Sequence, residues 1–266
     1  MHGHTWCGSS SFPFNRSSTR FFTQIVVAIP RHAHRLALMH PGSSNRLNQR
    51  HLDRFIGDTL FAKLARTVCR AECLPRKELF ETWEVAKRIR RRFRGGPIFD
   101  FGAGHGLLAW TLLLLDDSSN IAYCVDPARA PSFDTLSRCL IERWPHLAGR
   151  ALYLSEDAAE VEIEPGALLV SAHACGTLAD VILGRAISGS HRVAVLTCCH
   201  DRNRCDTGGL EGWLPIGLAV DATRVARLRG AGFVVHTTTI PQEITPMNRL
   251  LLASPRERPP LKPKTS

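Results

Sequence analysis

The sequence predicts an α/β fold in which a doubly wound, mostly parallel sheet of seven strands follows an N-terminal pair of helices. From Pro97 onward, short apolar runs alternate with helical stretches and glycine-rich turns, a pattern typical of a parallel sheet with helices on both faces. The 266 residues, 44% of them hydrophobic and 22% charged, are enough for one large domain with a sizeable core. The longest apolar runs reach about half of the ~20 residues that a membrane span needs. We therefore expect an α/β domain with no transmembrane segment.

Hydrophobic periodicity and the positions of glycine and proline assign the individual elements. Two helices are expected at 52–73 and 76–94, on either side of Pro75, which cannot continue the first one. The strands are expected at 97–101, 121–125, 151–154, 167–172, 193–198, 233–239 and 249–253. The helices between them are expected at 105–115, 133–144, 177–187 and 219–229. The chain then divides into a helical segment over 52–95 and the sheet domain over 96–254.

The two ends of the chain differ in composition from this middle part. Residues 1–51 contain six arginines and no Asp or Glu, which is typical of an organellar transit peptide. An alternative is sequence translated upstream of a start at Met39. We expect a disordered basic leader over 1–51 without function, and a disordered Pro- and Lys-rich tail over 255–266.

The charge and the cysteine content indicate which class of partner and which cellular compartment to expect. Lys and Arg number 34 against 24 Asp and Glu, an excess that favours polyanionic partners such as RNA. The nine cysteines form no disulfide-framework spacing, so we expect reduced thiols. A reducing compartment, and hence a cytoplasmic location, follows unless the leader directs the chain to an organelle.

A dense basic run closes the second predicted helix. The run is not balanced by neighbouring acids, and it consists of Lys87, Arg88, Arg90, Arg91, Arg92 and Arg94. One interpretation is a solvated face at a helix C-terminus, where cations suit the helix dipole. The other is a surface that binds RNA phosphates and borders the crevice at the end of the first strand.

The first strand of the sheet domain ends in a glycine-rich turn. The string Asp100-Phe101-Gly102-Ala103-Gly104-His105-Gly106 lies at the carboxyl end of a predicted parallel strand, where open α/β sheets bind ligands. The third glycine comes one residue too early for the dinucleotide pattern G-x-G-x-x-G. Twenty residues after Gly106, Asp126 follows the second strand and is suited to hold a ribose diol through its two carboxylate oxygens.

This D-x-G-x-G-x-G string, with an acid after the second strand, resembles class I, Rossmann-like S-adenosylmethionine-dependent methyltransferases over residues 97–254. The resemblance implies that Asp100, Gly102, Ala103, Gly104 and Gly106 cradle the methionine portion of S-adenosylmethionine. It also implies that Asp126 binds the ribose. An acid after the third strand, Glu156 or Asp157, would face the adenine.

Two further strings, HACGTLAD at 173–180 and CCH at 198–200, look like a methyltransferase subgroup that includes a tRNA ribose 2′-O-methyltransferase family. This resemblance implies methyl transfer with RNA as the favoured acceptor. Two alternatives stay open: a small-molecule or protein acceptor, and a non-catalytic nucleotide-binding protein of the same fold. The missing dinucleotide pattern and the two acids speak against the second alternative.

Several residues are expected on the acceptor side, at the ends of the fourth and fifth strands. His173 is a candidate general base, since a histidine titrates near neutral pH, although a packed core histidine is an equal alternative. Cys175, His200 and Asn248 are expected to contact substrate. Adjacent cysteines point opposite ways on a strand and no C-x-x-C pair occurs, so we interpret Cys198, Cys199 and Cys205 as buried free thiols and expect no metal.

Overall fold

Seven strands form the sheet, and the computed structural model describes residues 40–256 of the chain. The strands are β1 (Ile98–Phe101), β2 (Ala122–Val125), β3 (Ala151–Leu154), β4 (Leu168–Ser171), β5 (Arg192–Leu196), β6 (Phe233–Thr239) and β7 (Arg249–Pro255). Their order across the sheet is β3-β2-β1-β4-β5-β7-β6. All pairs are parallel except those that β7 makes with β5 and β6. The predicted fold class is confirmed.

The strand order creates a crevice at the carboxyl edge of the sheet. β1 pairs with β2 on one side and with β4 on the other, so the connections after β1 and β4 leave toward opposite faces of the sheet. At such a topological switch point the turns diverge and leave room for a ligand. The glycine turn after β1 therefore lies where a ligand site is expected.

Within the described residues, six α-helices cover both faces of the sheet. They are α1 (Leu60–Ala71), α2 (Arg76–Arg92), α3 (Leu107–Leu115), α4 (Pro131–Arg143), α5 (Leu178–Gly189) and α6 (Ile216–Gly230). Side chains of α1 to α4 share one core with one face of the strands, and side chains of α5 and α6 share a second core with the other face. Among residues 40–256, none of the helices combines the length and the hydropathy that a membrane span requires.

The predicted helix over 52–73 is wrong at its start. A short 3-10 helix, Gln49–Arg54, comes first, and α1 begins only at Leu60. Gly57 lies between them with a φ of 95°, and the Thr59 hydroxyl accepts a hydrogen bond from the Ala62 N–H at the start of α1. Ile56, one of the apolar residues whose helical spacing suggested a helix from residue 52, is consequently 45% exposed. From α2 onward, the ends of the predicted elements agree with the structure to within three residues.

The predicted end of the leader, residue 51, is wrong, because residues before it belong to the folded domain. Leu47 is fully buried in the core, and its backbone N–H donates to the carbonyl of Leu74 at 3.0 Å. Residues from His40 onward therefore belong to the folded domain, while residues 1–39 lie outside the described part of the chain. Two residues assigned to the tail also belong to the folded domain, because Pro255 ends β7 and the Arg256 N–H donates to the carbonyl of Gly232. The rest of the predicted tail, residues 257–266, lies outside the described part of the chain.

Candidate functional site

The glycine turn joins β1 to α3 at the carboxyl edge of the sheet. Gly102, Gly104 and Gly106 have φ angles of 64°, 52° and 75°, in the left-handed region that favours glycine. The Gly102 N–H donates to the carbonyl of Val125 at 2.9 Å, which fixes the turn to the end of β2. The three glycines thus set the backbone path between strand and helix.

The space around the three glycines differs. A Cβ on Gly106 would lie 2.9 Å from the sulfur of Cys124 and 2.9 Å from the ring of Phe133, so this glycine is needed for packing. A Cβ on Gly102 would lie 3.1 Å from the side chain of Leu178. A Cβ on Gly104 would meet nothing within 4 Å. Gly104 therefore faces open space into which a ligand can approach the backbone.

Asp126 lies beside this open backbone, as the sequence predicts. Its Oδ2 accepts a hydrogen bond from the Gly104 N–H at 3.3 Å, and its Oδ1 accepts one from the Ala128 N–H at 3.4 Å. Both bonds are long and the residue is half-buried, so the carboxylate keeps lone pairs for a further donor. The turn and the acid after β2 form one site.

A cavity of about 280 Å³ continues from the turn. Its lining residues are Gly102, Val125, Pro127, Asp157, Ala158, Cys175, Thr177, Leu178 and Val181. The wall is largely apolar, and Asp157 stands at its edge with Oδ1 accepting from the Ala159 N–H at 2.8 Å. Glu156 is exposed and is not among the lining residues. Of the two acids expected after β3, Asp157 borders the cavity.

Asp100 is turned away from this cavity toward α3. It is only 2% exposed, and its Oδ2 accepts a hydrogen bond from the Ala109 N–H at 3.1 Å. Burial raises the pKa of the Asp100 carboxyl to about 8, and the negative charge of Asp126 adds to this effect. Asp100 therefore supports the helix behind the turn in its neutral form.

Acidic and histidine side chains gather where the first turns of α2 meet the end of β4. Glu78 contacts His105, whose Nδ1 accepts from the Leu107 N–H at 3.2 Å at the start of α3. His173 belongs to the same group, because the charges of Glu78 and His105 act on it. Burial lowers the His173 pKa, and within residues 40–256 its Nε2 has no hydrogen-bond partner.

Glu81 is the second buried group of this region with a free polar atom. It is 1% exposed, its Oε2 has no partner in the described chain, and Lys77 lies 4.0 Å from its other oxygen. Burial raises the Glu81 pKa to about 7. The sequence analysis missed Glu78 and Glu81. The second could have been found, because it interrupts the apolar face of a helix and a buried acid is a signal of a functional site.

The cysteines after β4 and β5 converge instead of being buried separately. The Cys175 Sγ lies 3.1 Å from the Sγ of Cys198 and 3.6 Å from the Sγ of Cys199. β5 ends at Leu196, so the two adjacent cysteines follow the strand and its alternation does not separate them. The expectation of buried thiols is wrong for Cys199, which is exposed, and right for Cys205, while Cys198 is half-buried.

His200 and Asn248 are engaged within the protein. The His200 Nε2 lies 2.9 Å from Asp221 Oδ1, and its side chain is 5% exposed. Asp221 also accepts from Arg249 at 2.6 Å, while the Asn248 Nδ2 donates to the carbonyl of Ile240 at 2.9 Å. These bonds hold the loops that follow β5 and β6, so the structure gives both residues a positioning role. The sequence analysis missed Asp221, which is remote in sequence from its partners.

The basic run of α2 does not form one free surface. Arg90 is 3% exposed, its Nε donates to the carbonyl of Leu112, and its guanidinium pairs with Asp116 at 3.1 Å. Lys87 and Arg88 both pair with Glu84. The run is therefore partly balanced by acids, contrary to the sequence analysis.

The most exposed part of this run lies at the edge of the sheet opposite the crevice. Arg192, the first residue of β5, donates to the carbonyl of Arg94 at 2.6 Å, so the end of α2 lies at the amino edge of the sheet. The prediction that the run borders the crevice is wrong. Exposed arginines remain there, around an open groove of about 900 Å³ lined by Arg92, Phe93, Arg94, Ser190, Arg192, Val234, Ser254, Pro255 and Arg256.

Comparisons with known proteins return solved structures only, since neither a family model nor a curated protein matches this chain. An O-methyltransferase family protein from Burkholderia thailandensis is 19% identical, with a TM-score of 0.44 over 85% of this chain and 68% of that chain. The 23S rRNA methyltransferase ErmE is 17% identical, with a TM-score of 0.44 over 68% of this chain and 69% of that one. The mitomycin 7-O-methyltransferase MmcR is 21% identical, with a TM-score of 0.44 over 74% and 61%. Similarities at this level concern the fold alone.

Proposed function

We propose that this chain binds S-adenosylmethionine at the carboxyl edge of its sheet and transfers the methyl group to an acceptor. The observation that carries the proposal is the open backbone at Gly104, held beside the Asp126 carboxylate at the switch point. A backbone without a side chain and a nearby carboxylate suit a ligand that combines a polar chain with a ribose. The order of the seven strands supports the same interpretation, which the glycine string suggests independently.

The residues present fit the donor in three parts. Gly102, Ala103 and Gly104 would hold its methionine portion, with Asp100 and Gly106 shaping the turn from behind. Asp126 would accept hydrogen bonds from the ribose hydroxyls. One of these would replace the long hydrogen bond that Asp126 accepts from the Gly104 N–H. The apolar cavity beyond, edged by Asp157 with Glu156 next to it in sequence, would take the adenine. Bound there, S-adenosylmethionine supplies a methyl group already activated by a positively charged sulfur.

The chain's own task in transfer is to orient the acceptor and to receive its proton. Alignment of two reactants contributes most where the leaving group is already activated. We propose that His173 accepts the proton, since its buried Nε2 has no partner among the described residues. Against the effect of burial, the negative charge of Glu78 raises the pKa of this imidazole, and it would stabilise the protonated form that results. Glu81 and Cys175 complete the acceptor side of the site.

Substitutions in the turn test the donor site. Asp126→Ala removes charge-assisted hydrogen bonds worth about 1.5–3 kcal/mol, so donor affinity measured by calorimetry should fall roughly ten- to hundredfold. Gly104→Val should abolish binding, because its side chain fills the approach. Gly149→Val is the matched control, since Gly149 has a φ of 74° and equally open surroundings away from the turn. Parent-like binding by both site variants would refute the assignment.

We propose RNA as the acceptor class, because exposed arginines lie at the end of α2. They lie at the amino edge, so a substrate that reaches both this surface and the crevice must span the sheet, roughly 15–25 Å for strands of this length. That distance suits a folded RNA better than a single nucleotide. Phosphate contacts of this kind position a substrate and release counterions, which makes binding fall as salt rises.

The test is a filter-binding titration of structured RNA at several salt concentrations. Changing Arg91, Arg92 and Arg94 to Gln should weaken binding and reduce the salt slope by about one for each phosphate that the variant no longer binds. The matched control removes three exposed charges elsewhere, at Arg138, Arg143 and Arg229. Equal curves for the two triple variants, or a parent that binds no RNA, would favour a small-molecule or protein acceptor.

A further inference from the structure

Three cysteine sulfurs meet at the carboxyl ends of β4 and β5. Cys175 follows β4, Cys198 and Cys199 follow β5, and all three Sγ atoms lie within 4.8 Å of one another. This is the one group of three or more potential metal-binding side chains within residues 40–256. Cys175 and Cys199 are exposed, so an ion has a path to the sulfurs.

The backbone that carries these sulfurs is fixed by the sheet. β4 and β5 are paired up to Ser171 and Val195, which holds the two loops side by side. His200 follows the cysteines directly and is held by Asp221 at 2.9 Å, so the loop after β5 is anchored at its far side as well. A site of this kind exists before any ion arrives, and less ordering is needed for binding.

In their protonated form, the three thiols interact only weakly with one another. Thiol-to-thiol hydrogen bonds are weak, and three acidic groups crowded together gain most from a cation that they share. The contacts by themselves do not explain why three cysteines converge here.

We propose that Cys175, Cys198 and Cys199 bind one soft divalent metal ion, of which Zn²⁺ is the best fit. Thiolate ligands select Zn²⁺ among the common divalent ions. Tetrahedral zinc with Zn–S bonds of about 2.3 Å separates its sulfurs by about 3.8 Å. The separation of 3.6 Å between Cys175 and Cys199 nearly matches this value, and the separation of 3.1 Å between Cys175 and Cys198 has to widen slightly.

The group offers three ligands, one fewer than a closed structural zinc site. Zinc sites with three protein ligands leave the fourth position to water or to a substrate. Cys175 also lines the cavity beside the glycine turn, so the ion would lie at the wall of that cavity. The metal site stands on the sulfur positions alone and does not depend on the proposed methyl transfer.

Cobalt substitution tests the site directly. The full chain, reduced and freed of metal with a chelator, is titrated with Co²⁺ and followed by absorption. We expect one equivalent to produce the thiolate-to-cobalt charge-transfer band and the visible bands of tetrahedral cobalt, and Zn²⁺ to displace them. Cys199→Ser and Cys175→Ser should lose these bands, while Cys139→Ser, a half-buried cysteine on α4, should keep them.

Three results would overturn the site: a parent without the bands, a Cys199→Ser variant that retains them, or a native Cys175–Cys198 or Cys175–Cys199 disulfide found by mass spectrometry. The cobalt titration of the parent needs no variant, so it decides the matter even if a substitution impairs folding. Calorimetry of the parent with S-adenosylmethionine runs in parallel. Donor binding without cobalt bands refutes the metal site alone, and cobalt bands without donor binding refute the proposed function alone.

Discussion

Replacing Asp100 by asparagine is expected to stabilise the protein increasingly as pH rises. In the folded protein the buried carboxyl has a pKa of about 8, against 3.8 for an unperturbed aspartate. Between these values the folded state holds a proton that the unfolded chain has released, so the stability of the parent falls as pH rises. Each pH unit lowers the parent's free energy of unfolding by at most about 1.4 kcal/mol. The loss at pH 7 therefore has an upper limit on the order of 4 kcal/mol.

Asparagine removes this penalty and keeps the bond from the Ala109 N–H, since its amide oxygen accepts as the carboxyl does. The assay is urea unfolding at pH 5, 6, 7 and 8, followed by the fluorescence of the buried Trp110 on α3. We expect the variant's advantage over the parent to grow with pH and to level off above pH 8. Asp134→Asn, at an exposed carboxylate, is the control. A difference between parent and Asp100→Asn that is the same at every pH would refute the reasoning.

The remaining predictions concern stability and the limits of the domain. Arg90→Gln leaves the buried Asp116 with the exposed Arg94 as its remaining cationic partner and should cost up to about 3–5 kcal/mol in urea unfolding. The exposed Arg91→Gln should stay within about 0.5 kcal/mol of the parent. Leu47→Ala should cost about 2–5 kcal/mol, because it opens a cavity in a fully buried position, and an unchanged stability would return residues 40–51 to the leader. A chain that starts at Met39 should unfold at the same urea concentration as the full chain, and a lower midpoint would show that the preceding residues stabilise the domain.

Sequence periodicity was sufficient for the sheet because most strands are short, largely apolar runs with a glycine or proline near at least one end. It failed before α1, where an apolar stripe continued through a segment that Gly57 and Thr59 interrupt. A glycine with positive φ and a capping threonine are local signals, and they outweighed the helical spacing of Phe55 and Ile56. The buried Leu47 lacked any such periodic context and was assigned to the leader.

The candidate site was predictable where its residues are contiguous in sequence. The glycine turn and Asp126 belong to one strand–helix–strand unit, and the structure brings them together. The orientation of Asp100 was also accessible, since strand alternation sets it opposite Phe99 and Phe101, on the face that α3 covers.

Contacts between remote segments were beyond such patterns. Asp116, which pairs with Arg90, comes after β1 and α3 in the sequence. A count of charges along α2 alone therefore overstated the free basic surface of that helix. The convergence of Cys175 with Cys198 likewise depends on the pairing of β4 with β5. The fold also brings Glu81 of α2 close enough to Cys175, which follows β4, for its charge to act on that thiol.

The central claim, donor binding at the glycine turn, is tested most directly by calorimetric titration of the full chain with three ligands side by side. S-adenosylmethionine and its demethylated product should each bind with a stoichiometry of one, and Asp126→Ala should weaken both. NAD should not bind, because the turn lacks the dinucleotide spacing. Binding of NAD in preference to the methyl donor, or binding of neither donor nor product, would contradict the account.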